Sequence, residues 1–195
     1  MDFEYWRHYA RAWLLHFFGR EEPAFVEFET AYRMRPTVEA ALHLAFLAAR
    51  GKRFDISERW YLEVLRLSPE DADSHFNLGF VRQEMGKSRE AVESFDNATR
   101  LKPSLDRAWY GAGLAHARLG EHELAAAAFA KAAELQPLNG EAYYQLGMAW
   151  HHANAPEQVT DTVKRLVAFD PKRARKLVHD AERADLRHLI PNMPF

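Results

Sequence analysis

Prolines stand at positions 36, 69, 103, 137 and 171, so a helix-breaking residue returns after 33, 34, 34 and 34 residues. Self-similarity at a fixed period of this length marks a chain of stacked supersecondary units, and it constrains the fold more than any local pattern. Other columns keep the same step. Seventeen residues after most of these prolines comes a turn residue, Gly86, Gly120 or Asn154; Gly19 takes the matching place in the first unit and Gly51 comes two residues early. Glycine and asparagine suit that place because a helix ends there in a left-handed residue, which costs them least. Seven residues before the turns sit Ala12, Gly79, Gly113 and Gly147, with Ala45 one residue out of step. After the turns come Ala24, Ala91 and Ala125, then Phe28, Phe95 and Phe129, then Ala31, Ala98 and Ala132. Small residues let two antiparallel helices approach closely, and the aromatic ring fills the space beside them. Each proline then stops the second helix. The pattern predicts an all-α chain of about five antiparallel helix pairs.

The period and columns resemble the tetratricopeptide repeat, a family of 34-residue helical hairpins. The fullest match is Trp109, Gly113, His116, Ala125, Phe129 and Pro137, within RAWYGAGLAHARLGEHELAAAAFAKAAELQP, in a unit spanning residues 106–139. The unit at 72–105, with FNLGFVRQEMGKSREAVESFDNATRLKP, is nearly as full. The unit at 140–171 keeps AYYQLGMAW but carries Pro156 in its turn and Val159, Val163 and Leu166 in its later columns. The unit at 37–71 is degraded, and the divergent first unit, 1–36, has Arg11 in place of the usual leucine. From Lys172 to about Leu189, the spacing of Leu177, Ala181, Ala184 and Leu189 predicts a helix that covers the last unit, as repeat arrays require. The segment 172–195 therefore reads as a capping helix and a short apolar tail, LIPNMPF, all in one solenoid domain.

The resemblance implies a right-handed superhelix in which the first helix of every unit lines a concave, peptide-binding groove. Carried over by position, the groove presents Trp6, Tyr9 and Trp13; Leu42, His43 and Phe46; Phe76, Asn77 and Phe80; Arg107, Tyr110 and Leu114; and Tyr144, Gln145 and Met148. The large residues lie three or four apart, on one helix face. Members of the family that clamp a peptide carboxylate use Lys, Asn and Arg side chains. Here Leu42, Phe76, Tyr110 and Tyr144 stand where the clamp lysine belongs, and Asn77 alone matches a clamp asparagine. The expected ligand is an apolar or amphipathic segment of another protein, with Asn77, Arg107 and Gln145 bonding its polar groups. A small secretion-type chaperone for an apolar client is an alternative. So is a homo-oligomeric scaffold that uses its own C-terminal tail.

Composition narrows the other classes. A formal net charge of −2 with mixed signs lacks the concentrated basic face of a nucleic-acid binder. Only the end is basic: Lys172, Arg173, Arg175, Lys176, Arg183 and Arg187 face Asp180, Glu182 and Asp185, a balance suited to a solvated helix face. With no cysteine there are no disulfides, thiolate metal sites or cysteine nucleophiles, and a cytoplasmic location is expected. The aromatic N-terminal stretch is interrupted by Arg7, His8, Arg11 and His16 before reaching the roughly 20 apolar residues of a membrane span. It reads either as an interfacial helix or, better, as the first helix of a divergent unit packed on Phe25, Phe28 and Tyr32.

Ten histidines invite a metal site, but His151 and His152 are adjacent and His116 and His122 straddle a turn, so none has zinc spacing. There is no Gly-x-Ser-x-Gly elbow and no phosphate loop, and Asp71 and Asp106 read as helix caps. No catalytic residue, metal or cofactor is expected.

Overall fold

The computed structural model describes residues 3–191, and those residues are helical with short connections. The chain divides into two compact units, Met1–Leu101 and Lys102–Phe195.

The first unit holds three hairpins: α1 (Phe3–Phe17) with α2 (Glu21–Met34), α3 (Val38–Arg50) with α4 (Phe54–Leu67), and α5 (Ala72–Glu84) with α6 (Ser88–Leu101). Within it α2 also packs on α3 and α4 on α5, so each hairpin leans on the one before. Leu44 and Leu47 of α3 join Ala24 and Phe28 of α2 in one cluster, and Leu78 and Val81 of α5 join Tyr61 of α4 in another.

The second unit holds α7 (Asp106–Arg118) with α8 (His122–Leu135), α9 (Gly140–His152) with α10 (Pro156–Val167), then α11 (Pro171–Asp180) and a 3-10 turn at Ala184–Leu189. Its core runs from Ala125 and Phe129 through Leu146 and Val163 to Leu177 and Leu186.

Both periodic columns have a physical basis. The left-handed residue of each hairpin turn is Gly19, Lys52, Gly86, Gly120 or Asn154. The second turn therefore differs from the sequence expectation: Lys52 (φ 56°), not Gly51 (φ −76°), takes the strained position. With Lys52 as the reference, Ala45 falls seven residues before its turn like its counterparts and is in step after all. The small-residue column is steric. A Cβ added to Gly79 would lie 2.7 Å from the Phe95 ring, and one added to Gly113 would lie 2.7 Å from the Phe129 ring. That is inside contact distance for carbon.

The C-terminal segment departs from a single helix. α11 ends at Asp180, Glu182 adopts φ 54°, and the chain re-enters as a 3-10 turn that buries Leu186. Asp170 caps α11 by accepting from the Arg173 backbone N–H at 3.0 Å. Thr37 and Asn139 cap α3 and α9 in the same way. Asp71 precedes α5, but its carboxylate accepts from the Ser74 hydroxyl rather than a backbone N–H, and Asp106 is the first residue of α7 rather than its cap. Of the tail, Leu189 and Ile190 pack on the second unit's core, while Asn192, Met193, Pro194 and Phe195 lie outside the described residues.

A half-buried ion cluster ties the third hairpin to the second. Glu58 of α4 accepts from Arg82 Nε at 3.0 Å and Lys87 Nζ at 2.5 Å, and Arg82 Nη1 also donates to Ser94 Oγ at 2.9 Å. Burial alone would raise the Glu58 carboxyl, but the hydrogen bonds from Lys87 and Arg82 outweigh it and hold the group below its ordinary range. A depressed folded-state value means the contribution is complete above the unfolded value, about 4.3, and is lost as pH falls through the folded value. Glu58→Gln is thus expected to cost about 1–3 kcal/mol near neutral pH. In thermal melts the gap to wild type should close as pH falls below about 4.

Candidate peptide-binding surface

The first helices of the hairpins carry the expected groove residues, and the structure sorts them into two rows of different character. One row consists of half-buried rings laid on the aromatic column of their own hairpin. Tyr9 meets Phe28 edge-on at 5.4 Å, Phe76 lies 6.0 Å from Phe95, and Tyr110 lies 5.5 Å from Phe129. Burial raises the hydroxyl pKa of Tyr9 and of Tyr110. Leu42 packs in the same manner on the cluster that contains Tyr61.

The second row stands four residues further along each helix. In the first unit it consists of Trp13, Phe46 and Phe80, exposed by 49%, 45% and 47%. These large apolar side chains are left open at a regular interval on the first helices of successive hairpins in one unit. Trp13 stacks on Phe17 at 5.8 Å, and Arg50 stands over the Phe46 ring at 5.8 Å. Between the rows Asn77 is half-buried, and His43 stacks on Phe28 at 4.5 Å. Trp6 is exposed and meets Tyr9 edge-on at 5.9 Å.

In the second unit Leu114, Tyr144, Gln145 and Met148 come together with His122 and His152 around a cavity of about 400 Å³. Two of these side chains are held from within the chain. Tyr144 donates to Asp180 at 2.7 Å and its ring lies 4.4 Å beneath Lys176, so α11 covers part of it. Burial, reinforced by that bond, pushes its hydroxyl up to about 12. Gln145 donates to Glu141 at 3.0 Å. Arg107 is exposed on α7.

Sequence spacing missed one grouping. Packing of α8 on α9 sets His122 5.1 Å from His152, whose other neighbour, His151, is also at 5.1 Å. Burial and these two imidazoles lower the His152 pKa. Among the described residues no group of three or more His, Cys, Asp or Glu is placed to hold a metal ion. No described helix is long and apolar enough to cross a membrane.

Antiparallel helix pairs closed by a glycine–aromatic contact, repeated every 34 residues, define a helical-repeat protein. Residues 76–139 match the tetratricopeptide repeat family. Solved structures share its fold. One of MamA aligns over 100% of both chains with TM-score 0.79 and 18% identity. One of YrrB, a TPR protein with an unusual peptide-binding site, aligns over 90% of each chain with TM-score 0.77 and 19% identity. MamA from Desulfovibrio magneticus RS-1 aligns over 87% of this chain and 99% of its own, with TM-score 0.74 and 19% identity. Among curated proteins no sequence matches this chain.

Proposed function

We infer that this protein is an interaction scaffold whose first helices hold an apolar or amphipathic segment of another protein. The observation that carries this reading is the half-exposed row Trp13, Phe46 and Phe80. The exposed half of each ring gains by being covered, and aromatic rings are prominent among the residues that dominate binding energy at protein interfaces. The half-buried rings Tyr9 and Phe76 would form the floor. Asn77 would supply a donor and an acceptor for a partner's backbone. The second unit is read by itself: there Leu114 and Met148 would offer an apolar contact of their own, with Tyr110, Tyr144, Gln145 and Arg107 at its margins. The peptide-binding site named for YrrB supports the reading by analogy of fold. The absence of a clamp lysine favours an apolar segment over a charged tail.

The test separates the rows. Phe76→Ala and Tyr110→Ala would disturb the hairpins, because those rings rest on Phe95 and Phe129. Phe46→Ala with Phe80→Ala removes two of the three exposed rings instead. Each ring at a hot spot is worth about 2 kcal/mol or more, so the pair should weaken partner capture by roughly a thousandfold while leaving the helical circular-dichroism signal unchanged. Unchanged capture would refute the proposed surface.

A further inference from the structure

The outward face of α1 is unlike that of any other first helix in its unit. Phe3, Trp6, Ala10, Trp13 and Phe17 follow one another at intervals of three, four, three and four residues, the spacing of a coiled-coil seam. Phe3, Trp6 and Phe17 are exposed by 71%, 55% and 68%, and Ala10 is exposed as well. The repeat supplies its own control. The same five positions read Pro36, Glu39, His43, Phe46 and Arg50 at α3, and Glu70, Asp73, Asn77, Phe80 and Glu84 at α5. The columns that hold Trp6 and Phe17 in α1 are charged in both other hairpins, as solvent-facing positions should be. In α1 they have become aromatic.

Nor is this face suited to another hairpin of the same kind. The contact of α3 and α5 with the preceding hairpin runs through Leu44 and Leu78. Their counterpart in α1 is Arg11, which is exposed and lies 3.3 Å from Glu27. The seam stands beside that column and has a symmetry of its own. Counting from Ala10, Phe3 and Phe17 lie seven residues away on either side, Trp6 and Leu14 four, and Arg7 and Trp13 three. A helix face that is palindromic about a small residue is complementary to itself under a two-fold axis, where contacts are reciprocal.

We propose that α1 is a dimerisation helix that packs antiparallel on α1 of a second copy of this chain, with the two-fold axis beside Ala10. The alanine lets the two helices approach. Phe3 of each copy meets Phe17 of the other, Trp6 meets Leu14, and the Arg7 guanidinium lies on the Trp13 indole as a cation–π pair, which leaves Phe46 and Phe80 of the exposed row open to a partner segment. A parallel pairing would instead set Arg7 against Arg7 and Arg11 against Arg11. The local charges are already balanced, with Arg7 on Glu4 at 2.5 Å and Arg11 on Glu27, so the face offers no excess positive charge to an anionic membrane. The exposed parts of the four rings and Leu14 amount to on the order of 600 Å² per copy, near the ~800 Å² that each partner gives to a standard interface.

The chain has no cysteine, which makes the geometry directly readable. The 195-residue chain at micromolar concentration should sediment at twice the mass of one chain. Ala10→Arg, which places a bulky charge on the axis, and Phe17→Glu should each sediment as monomers with an unchanged helical signal. Under oxidation Ala10→Cys should form a disulfide-linked dimer with itself. Phe17→Cys should not, whereas a mixture of Phe3→Cys and Phe17→Cys should. The groove variant Phe46→Ala with Phe80→Ala should remain dimeric, so loss of partner capture and loss of self-association are separate results. A monomeric wild type overturns the proposal, as does a dimer that survives both Ala10→Arg and Phe17→Glu. Self-crosslinking of Phe17→Cys as readily as Ala10→Cys overturns it too. So does a monomer that binds phosphatidylcholine vesicles through α1 and loses that binding in Phe17→Glu.

Discussion

Replacing Phe129 with alanine is expected to lower the free energy of unfolding by about 3–5 kcal/mol, read by denaturant titration of the helical signal. The ring is 1% exposed and lies against Gly113 of the facing helix, where an added Cβ would meet three ring carbons at 2.7–2.9 Å. The two helices are thus already at the separation a glycine permits, so the void left by the ring is bounded partly by backbone and collapses little. The same contact makes a second, opposite test. Gly113→Ala should cost about 1–3 kcal/mol through overpacking, offset by up to about 1 kcal/mol of gained helix propensity. Combined with Phe129→Leu, which draws back the edge of the ring, Gly113→Ala should cost less than it does alone. The two changes share one contact and should not add. Simple additivity would mean that the glycine is there for some reason other than the ring.

Leu177→Ala is expected to cost about 2–5 kcal/mol, a fall of roughly 5–15 °C in the thermal midpoint. In the last hairpin the ring column has shrunk to Val163, and the space beside Gly147 is filled from another element. Leu177 of α11, fully buried, places its Cδ2 in the space a Gly147 Cβ would take. α11 is held there by a polar frame as well. Arg173 donates to Asp170 at 2.8 Å and to Glu141 at 3.1 Å, and Tyr144 donates to Asp180. A loss as small as that of an exposed leucine would show that α11 does not complete the hairpin.

These contacts show where the sequence could be read and where it could not. The 34-residue step and the Gly–Phe pairs were legible because each column answers to one local constraint, either a close approach or a helix stop. Lys52 was not legible, because a left-handed residue is recognised by the amino acid that prefers it, and Gly51 stood next to it. The break at Glu182 was hidden for the same reason: apolar spacing continues through Ala181 and Ala184, while the backbone turns between them. That Leu177 replaces a missing ring is a matter of packing between α9 and α11, and no spacing along one helix encodes it.

The residues of the first helices were legible as sharing a face but not as two rows. Three- and four-residue spacing places Phe76 and Phe80 together. Only the position of Phe95 decides that the first is floor and the second is free. His122 and His152 illustrate the limit again, since the packing of α8 on α9 brings together two residues 30 positions apart.

The central claim is that partners are held by the exposed row on the first helices. A photo-crosslinking residue placed at position 80 tests it most directly, with position 93 on the exposed side of α6 as the comparison. On irradiation in the presence of cellular protein, the residue at 80 should become joined to a discrete partner polypeptide, at a site within an apolar or amphipathic segment, and the residue at 93 should not. Crosslinks that form from 93 and not from 80 would place the partner on the other helices and contradict the account.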